Sequence, residues 1–216
     1  MRVGVGVLLV LAGCGQGQPG GEPSPTLSLD WQQMEQQRIE ASQRAEARAS
    51  ASATASPTPA GPYVWKEIPE PILPPEAQAQ AGFAEAELAA KYFVELQYYV
   101  AQTNDLATWE QVIHPESPSG KQVIENTHKR QADGVRLTYL NLDVHPVRAE
   151  QNVDRPEIYR VLLTLETEGE VAVNNRGETV DDNGARYLFI VSHVEYSNGT
   201  WKLIDSDFET EKPEEW

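Results

Sequence analysis

Apolar positions in the second half of the chain follow two periods. Leu88, Tyr92, Leu96, Tyr99 and Val100 recur at helical spacing and predict one amphipathic helix over 76–101. Thr103-Asn104-Asp105 supplies a capping side chain for a short second helix with Leu106, Trp109 and Ile113 on one face, and His114-Pro115 stops it. Ser119 and Gln122 form a capping box for a third helix through Val123 and Ile124, ending near Asp133-Gly134. Beyond Gly134 the period drops toward two in RLTYLNLDVHPV, IYRVLLTLETEGEVAV and RYLFIVSHVEYSNGTWKLIDSDF, which therefore read as strands. Asn174-Asn175-Arg176-Gly177 and Asp182-Asn183-Gly184 are expected to be turns.

Asn198-Gly199 is a two-residue hairpin signal, because both residues tolerate the positive φ of a type I′ turn. That turn also accounts for Asn198-Gly199-Thr200 without invoking glycosylation of the sequon. With this loop the expected register sets Tyr196 against Trp201, Val194 against Leu203, His193 against Ile204 and Ser192 against Asp205. One side of the hairpin then carries Tyr196, Trp201, Val194 and Leu203, with Ser192 and Asp205 behind them. A few polar groups at the end of an apolar wall suit a pocket, so Ser192, Tyr196, Trp201 and Asp205 are the candidate pocket residues. The other side carries Phe189, Phe208, Val191, Ile204 and His193, and either side is open as the concave one.

Helices first and strands afterwards predict an α+β domain over 77–216, with three N-terminal helices packed on a curved, mostly antiparallel sheet. Upstream, residues 14–76 are rich in Ala, Ser, Pro, Gly and Gln, with ASASATASPTPAGP at their centre, and only Trp31, Tyr63 and Trp65 supply aromatic surface. Such a stretch buries too little to offset its conformational entropy and is expected to be a disordered tether. DWQQMEQQRIEASQRAEARA within it favours a transient helix, since Trp31, Met34 and Ile39 make no continuous stripe. Sixty-odd flexible residues reach roughly 40–50 Å root-mean-square.

The first residues give an expected address. Arg2 precedes Val3–Leu11, a run of Val, Leu and Gly, and small residues lead to Cys14, the chain's single cysteine. The run is far shorter than the ~20 residues of a membrane span and reads as a signal peptide over 1–13. Leu11-Ala12-Gly13-Cys14 resembles the lipobox of bacterial lipoproteins. That resemblance implies a diacylglycerol on the Cys14 thiol, cleavage before it, and a lipid-anchored protein on the extracytoplasmic face of the cell membrane. Two acyl chains hold where a single chain dissociates.

The whole arrangement, with ELAAKYFVELQYYVAQTND opening and NGTWKLID closing, resembles the NTF2-like fold. With the tether, the Thr-Asn-Asp turn after an aromatic first helix, and VAVNNRGETV, it is similar to a family of uncharacterised actinobacterial lipoproteins carrying one such domain. Members of that family often place a C-x-x-C pair before the third helix; the matching positions here are Ser117 and Gly120, so no redox or disulfide role carries over.

Charge and chemistry narrow the function. Against 17 basic residues stand 33 acidic ones, a net charge of −16, which disfavours nucleic-acid partners bound through phosphate. His114, His128, His145 and His193 lie too far apart in sequence for ligand spacing, and Asp181-Asp182-Asn183-Gly184 lacks the alternating acids of a calcium loop, so no metal or cofactor is expected. No serine sits in a nucleophile elbow and no catalytic residue is assigned. The expected function is non-enzymatic binding or assembly in the cell envelope, with an envelope protein or wall component as partner. The alternative is an exported small-molecule enzyme using an NTF2-like cavity, with Asp205 or His193 as base.

Overall fold

The computed structural model describes residues 63–214 and 216, and the four helical positions Gln36, Ile39, Glu40 and Gln43 within the predicted transient helix. Cys14, the signal-like run and most of the predicted tether lie outside the described residues. The helices are α1 (Pro75–Ala79), α2 (Phe83–Thr103), α3 (Trp109–Val112) and α4 (Pro118–Asp133). They precede five strands: β1 (Val135–Leu140), β2 (Asp143–Gln151), β3 (Ile158–Asn174), β4 (Thr179–Ser197) and β5 (Thr200–Glu209). The α+β class and the antiparallel sheet therefore hold, but four helices stand where three were expected.

The single helix expected over 76–101 is in fact two. Gln80 is extended and Gly82 caps α2, so α1 ends after little more than one turn. Its Ala77 carbonyl then lacks an intrahelical partner and instead accepts the indole N–H of Trp201 at 2.7 Å. The break thus serves the packing of a tryptophan from the far end of the chain. The buried face of α2 is also wider than the predicted stripe, since Ala89, Phe93 and Val94 join Leu96 and Val100 in the core.

The third predicted helix begins upstream of its expected cap. Ser117 caps α4, its Oγ accepting the Gly120 N–H at 3.0 Å, and Pro118 occupies the first turn, where a missing N–H costs nothing. Ser119 turns outward from the helix and accepts the Ser206 N–H on β5. Trp109 of α3 is fully buried and donates its indole N–H to the Gly120 carbonyl, tying α3 to α4.

The sheet runs β1-β3-β4-β5, every pair antiparallel, and β2 also pairs with β3. β1 faces residues 169–174 and β2 faces 159–166, so the two lie end to end along one edge of β3. The β3–β4 register shifts between Thr167 and Glu170, again between Glu170 and Val171, and between Ala172 and Val173. Bulges of this kind bend the strand and increase its twist, which curves the sheet around the helices. Asp182-Asn183-Gly184 is part of this device and not the expected turn. It lies inside β4, with Gly184 at φ +65 opposite Glu170, a left-handed residue that only glycine adopts cheaply.

The β4–β5 hairpin follows the predicted register from the Asn198-Gly199 loop back to Val194 and Leu203, with φ of 52 and 75 at the two loop residues. It then departs from it. A bulge at Ile204 pairs His193 with Asp205 and Ser192 with Ser206. Phe208 consequently falls opposite Ile190 and packs against the main core, on the side opposite to the predicted one.

That core lies between the helices and one face of the sheet, with Phe93, Leu96 and Trp109 against Val161, Leu163, Ile190 and Leu203. On the other face Leu162, Tyr187, Phe189 and Val191 form a smaller cluster with Val147 and Trp216. The packed unit also extends upstream of Ala77, its predicted start. Leu73 reaches the core, Trp65 lies beneath the Arg136 guanidinium at 4.8 Å, and Tyr63 meets Trp65 edge-on.

Candidate functional site

The predicted pocket wall is core. Ser192 is fully buried, Trp201 is 3% exposed, and Tyr196 packs obliquely on Trp201 with centroids 5.0 Å apart. The polar groups there are satisfied internally: the two hydroxyls of Ser192 and Ser206 share a hydrogen bond of 2.8 Å, and Trp201 bonds Ala77. Asp205, displaced by the bulge, accepts the backbone N–H of Ser119 at the start of α4 and that of Ser206, at 3.2 and 3.0 Å. A carboxylate at a helix N-terminus is favoured by the unpaired N–H groups and the helix dipole, so Asp205 joins α4 to β5. His193 lies on the opposite face, in an open trough with Arg160, Val191 and Asp207. Burial and the Arg160 charge hold its pKa below the ordinary histidine value, against the pull of Asp207 and Asp205.

The polar groups that converge on the concave side lie elsewhere. A cavity of about 420 Å³ opens between α2, α4 and the curved part of the sheet. Tyr98 and Ala101 come from α2, Val123 and Arg130 from α4, Tyr139 from β1, and Glu170 and Arg186 from β3 and β4. The bulges that curve the sheet place the last two. Arg186 lies 3.6 Å from the Glu170 carboxylate, which also accepts the Asn183 side-chain N–H at 2.9 Å.

Tyr98 and Tyr139 meet edge-on with centroids 4.6 Å apart. Burial, together with the nearby Glu170 charge, pushes both hydroxyl pKa values far above the ordinary tyrosine range. Both are therefore neutral hydroxyls at any physiological pH, able to donate a hydrogen bond and unsuited to act as bases. Arg130 is half-buried, and burial lowers its pKa, though a guanidinium stays charged. The cavity thus presents hydrogen-bond donors on partly apolar walls. Neither Asp205 nor His193 lines it.

Among the described residues no three or more His, Cys, Asp or Glu side chains gather closely enough to hold a metal ion, and no helix is long and apolar enough to cross a membrane. Sequence reasoning missed the cavity because its residues are scattered over six elements, and the signals for it are slight: Gly184 reads as a turn, and Glu170 and Arg186 fall within predicted strands.

Comparison with known proteins places the chain in a family. A sequence model described as "Family of unknown function (DUF6318)" matches residues 42–207. The chain belongs to this family. The DUF6318 match begins well upstream of α1, in keeping with the packing of Trp65 and Leu73. No curated protein matches the chain. Among solved structures, the intermembrane space region of the chloroplast protein ARC6 is similar at a TM-score of 0.51 and 12% identity, over 61% of this chain and 99% of that one. An uncharacterised protein with a cystatin-like fold from Caulobacter vibrioides matches at 0.35 and 13% identity, covering 58% and 89% of the two chains. An NTF2-like protein from Cytophaga hutchinsonii matches at 0.31 and 17%, covering 52% and 88%.

Proposed function

We propose that this DUF6318 member is a lipid-anchored extracytoplasmic binding protein whose NTF2-like domain captures a small molecule without chemistry. The observation that carries the binding reading is the concave cavity itself: donor groups from Tyr98, Tyr139 and Arg130 converge there, beside a single carboxylate already engaged by Arg186 and Asn183. A convergent polar set in a recess with partly apolar walls suits ligand recognition. Proton abstraction would need an available base, and the two residues considered for that role line other parts of the molecule.

The anchor is supported by the short apolar run before Cys14 and the lipobox-like residues that precede it. Cys14 would carry the diacylglycerol and hold the protein at the outer face of the cell membrane, as in the actinobacterial lipoproteins it resembles. The segment between anchor and domain gives the cavity reach toward an envelope protein or wall component, and the net charge of −16 argues against nucleic acid.

The test uses the full chain expressed in a bacterium that processes lipoproteins. Wild type should label with fatty acid and fractionate with membranes, and Cys14→Ser should do neither; equal labelling refutes the anchor. Protein solubilised from those membranes should carry small molecules detectable by mass spectrometry after denaturation. Val123→Phe, which fills the cavity from α4, should lose them while keeping the wild-type circular dichroism spectrum. The same retained compounds in both would refute the cavity as binding site.

A further inference from the structure

Among the described residues, three charged side chains line the cavity, Arg130, Arg186 and Glu170. Glu170, itself 7% exposed, is engaged by Arg186 and Asn183. Arg130 has neutral partners: its Nε donates to Asn104 Oδ1 at 3.1 Å and its Nη2 to Thr127 Oγ1 at 2.7 Å. No carboxylate of the described residues forms an ion pair with it. A half-buried guanidinium without a counter-charge has lost hydration and gained only neutral hydrogen bonds, and two of its five N–H donors are thereby used.

This cation is also held in place before any ligand arrives. Asn104 ends α2 in the left-handed conformation, and its side-chain amide donates to the Val135 carbonyl at 2.8 Å. Thr127 donates to the Val123 carbonyl at 2.8 Å, which leaves its oxygen facing Arg130. A preorganised donor loses little freedom on binding, so more of its interaction appears as affinity.

We propose that the cavity selects a small amphipathic monoanion, an apolar or aromatic body bearing one carboxylate, with Arg130 as the anchoring cation. This rests on the binding reading above. A carboxylate matches the planar guanidinium and accepts charge-assisted hydrogen bonds. Val123, Leu137, Leu188 and Phe208 offer the apolar walls, and the Tyr98–Tyr139 pair an aromatic edge. A cationic ligand would meet two arginines and a carboxylate that is already paired. A polyanion such as a phosphate ester would find one uncompensated cation inside a chain of net charge −16. One negative charge is what the site can neutralise.

The test titrates the full chain by calorimetry with 2-naphthoate and with its neutral isostere 2-naphthamide, at fixed ionic strength. Wild type should bind naphthoate roughly 10- to 100-fold more tightly than naphthamide, the range expected for a charge-assisted contact. Arg130→Gln should abolish that ratio by weakening naphthoate far more than naphthamide, and Arg130→Lys, which keeps the charge and loses the planar fork, should retain part of it. Thermal unfolding of each variant checks that the fold persists; if Arg130→Gln does not fold, the wild-type ratio and its reduction in Arg130→Lys decide. Equal affinities for the two probes in wild type, or a ratio that survives Arg130→Gln, overturn the anion proposal and leave the binding reading standing. Failure of both probes to bind saturably in wild type overturns both.

Discussion

The buried hydroxyl pair of Ser192 and Ser206 gives a sharp test of the β4–β5 register. Ser192 is fully buried and Ser206 is 7% exposed, and each hydroxyl bonds the other at 2.8 Å. Replacing Ser192 by Ala leaves the Ser206 hydroxyl in the core without its partner, at a cost of about 1–2 kcal/mol, the penalty for a buried polar group left unsatisfied. Ser206→Ala should cost about the same for the mirror-image reason. The double variant leaves no stranded hydroxyl, so its cost should be close to that of either single change and not their sum. The coupling is then about 1–2 kcal/mol, well above the ~0.3–0.5 kcal/mol scatter of independent sites. Urea unfolding followed by tryptophan fluorescence measures the cycle, and each kcal/mol should also shift Tm by about 2–4 °C in a domain of this size. Additive single effects would refute the bulged pairing. In the unbulged register Ser192 would instead couple to Asp205, so Ser192→Ala combined with Asp205→Asn is the control, expected to be additive within about 0.5 kcal/mol.

Trp201→Phe should destabilise the protein by about 2–4 kcal/mol, because it strands the fully buried Ala77 carbonyl and removes part of a 3% exposed ring; hydrogen exchange should show residues 75–79 losing protection first, and unchanged protection there would contradict the role assigned to that bond. Alkaline titration of tyrosine absorbance should leave Tyr98 and Tyr139 un-ionised until the protein unfolds. Their folded pKa values lie above the unfolded value near 10, so the associated stability is fully present below pH ~10 and is lost as pH rises beyond it. Replacing both by Phe should flatten that alkaline loss, and an unaltered pH profile would show that other groups cause it.

Much of the architecture could be read from periodicity. The helix over α2 was legible because Leu96 and Val100 sit at helical spacing, and the β4–β5 loop because Asn198-Gly199 has few alternatives to a type I′ turn. What failed were features set by long-range partners. Nothing local to Gln80 or Gly82 says that a helix should break so that the Ala77 carbonyl can meet Trp201, far along the chain. Nothing local to Ile204 says that β5 carries an extra residue there, and a one-residue slip moves every later side chain to the other face. That slip moved Asp205 to the start of α4 and carried Phe208 onto the main core. The cavity was hidden for the same reason, since Gly184 reads as a turn until its pairing with Glu170 is known. Local rules describe elements well; bulges and breaks answer to the fold.

The contacts of residues 63–73 also determine how the domain would bear a load. Any pull from the N-terminal side of the chain reaches Tyr63 and Trp65 before it reaches α1. Tyr63 sits so close over Gly177, at the β3–β4 turn, that an added Cβ would lie 2.3 Å from its ring, and Trp65 is clasped by Arg136 of β1. Aromatic and cation–π contacts of this type contribute about 0.5–1.5 kcal/mol each, far less than the core behind them. Under a pull from that side the clasp yields first, as a mechanical fuse does, so that the sheet and its cavity keep their shape while residues 63–73 peel away.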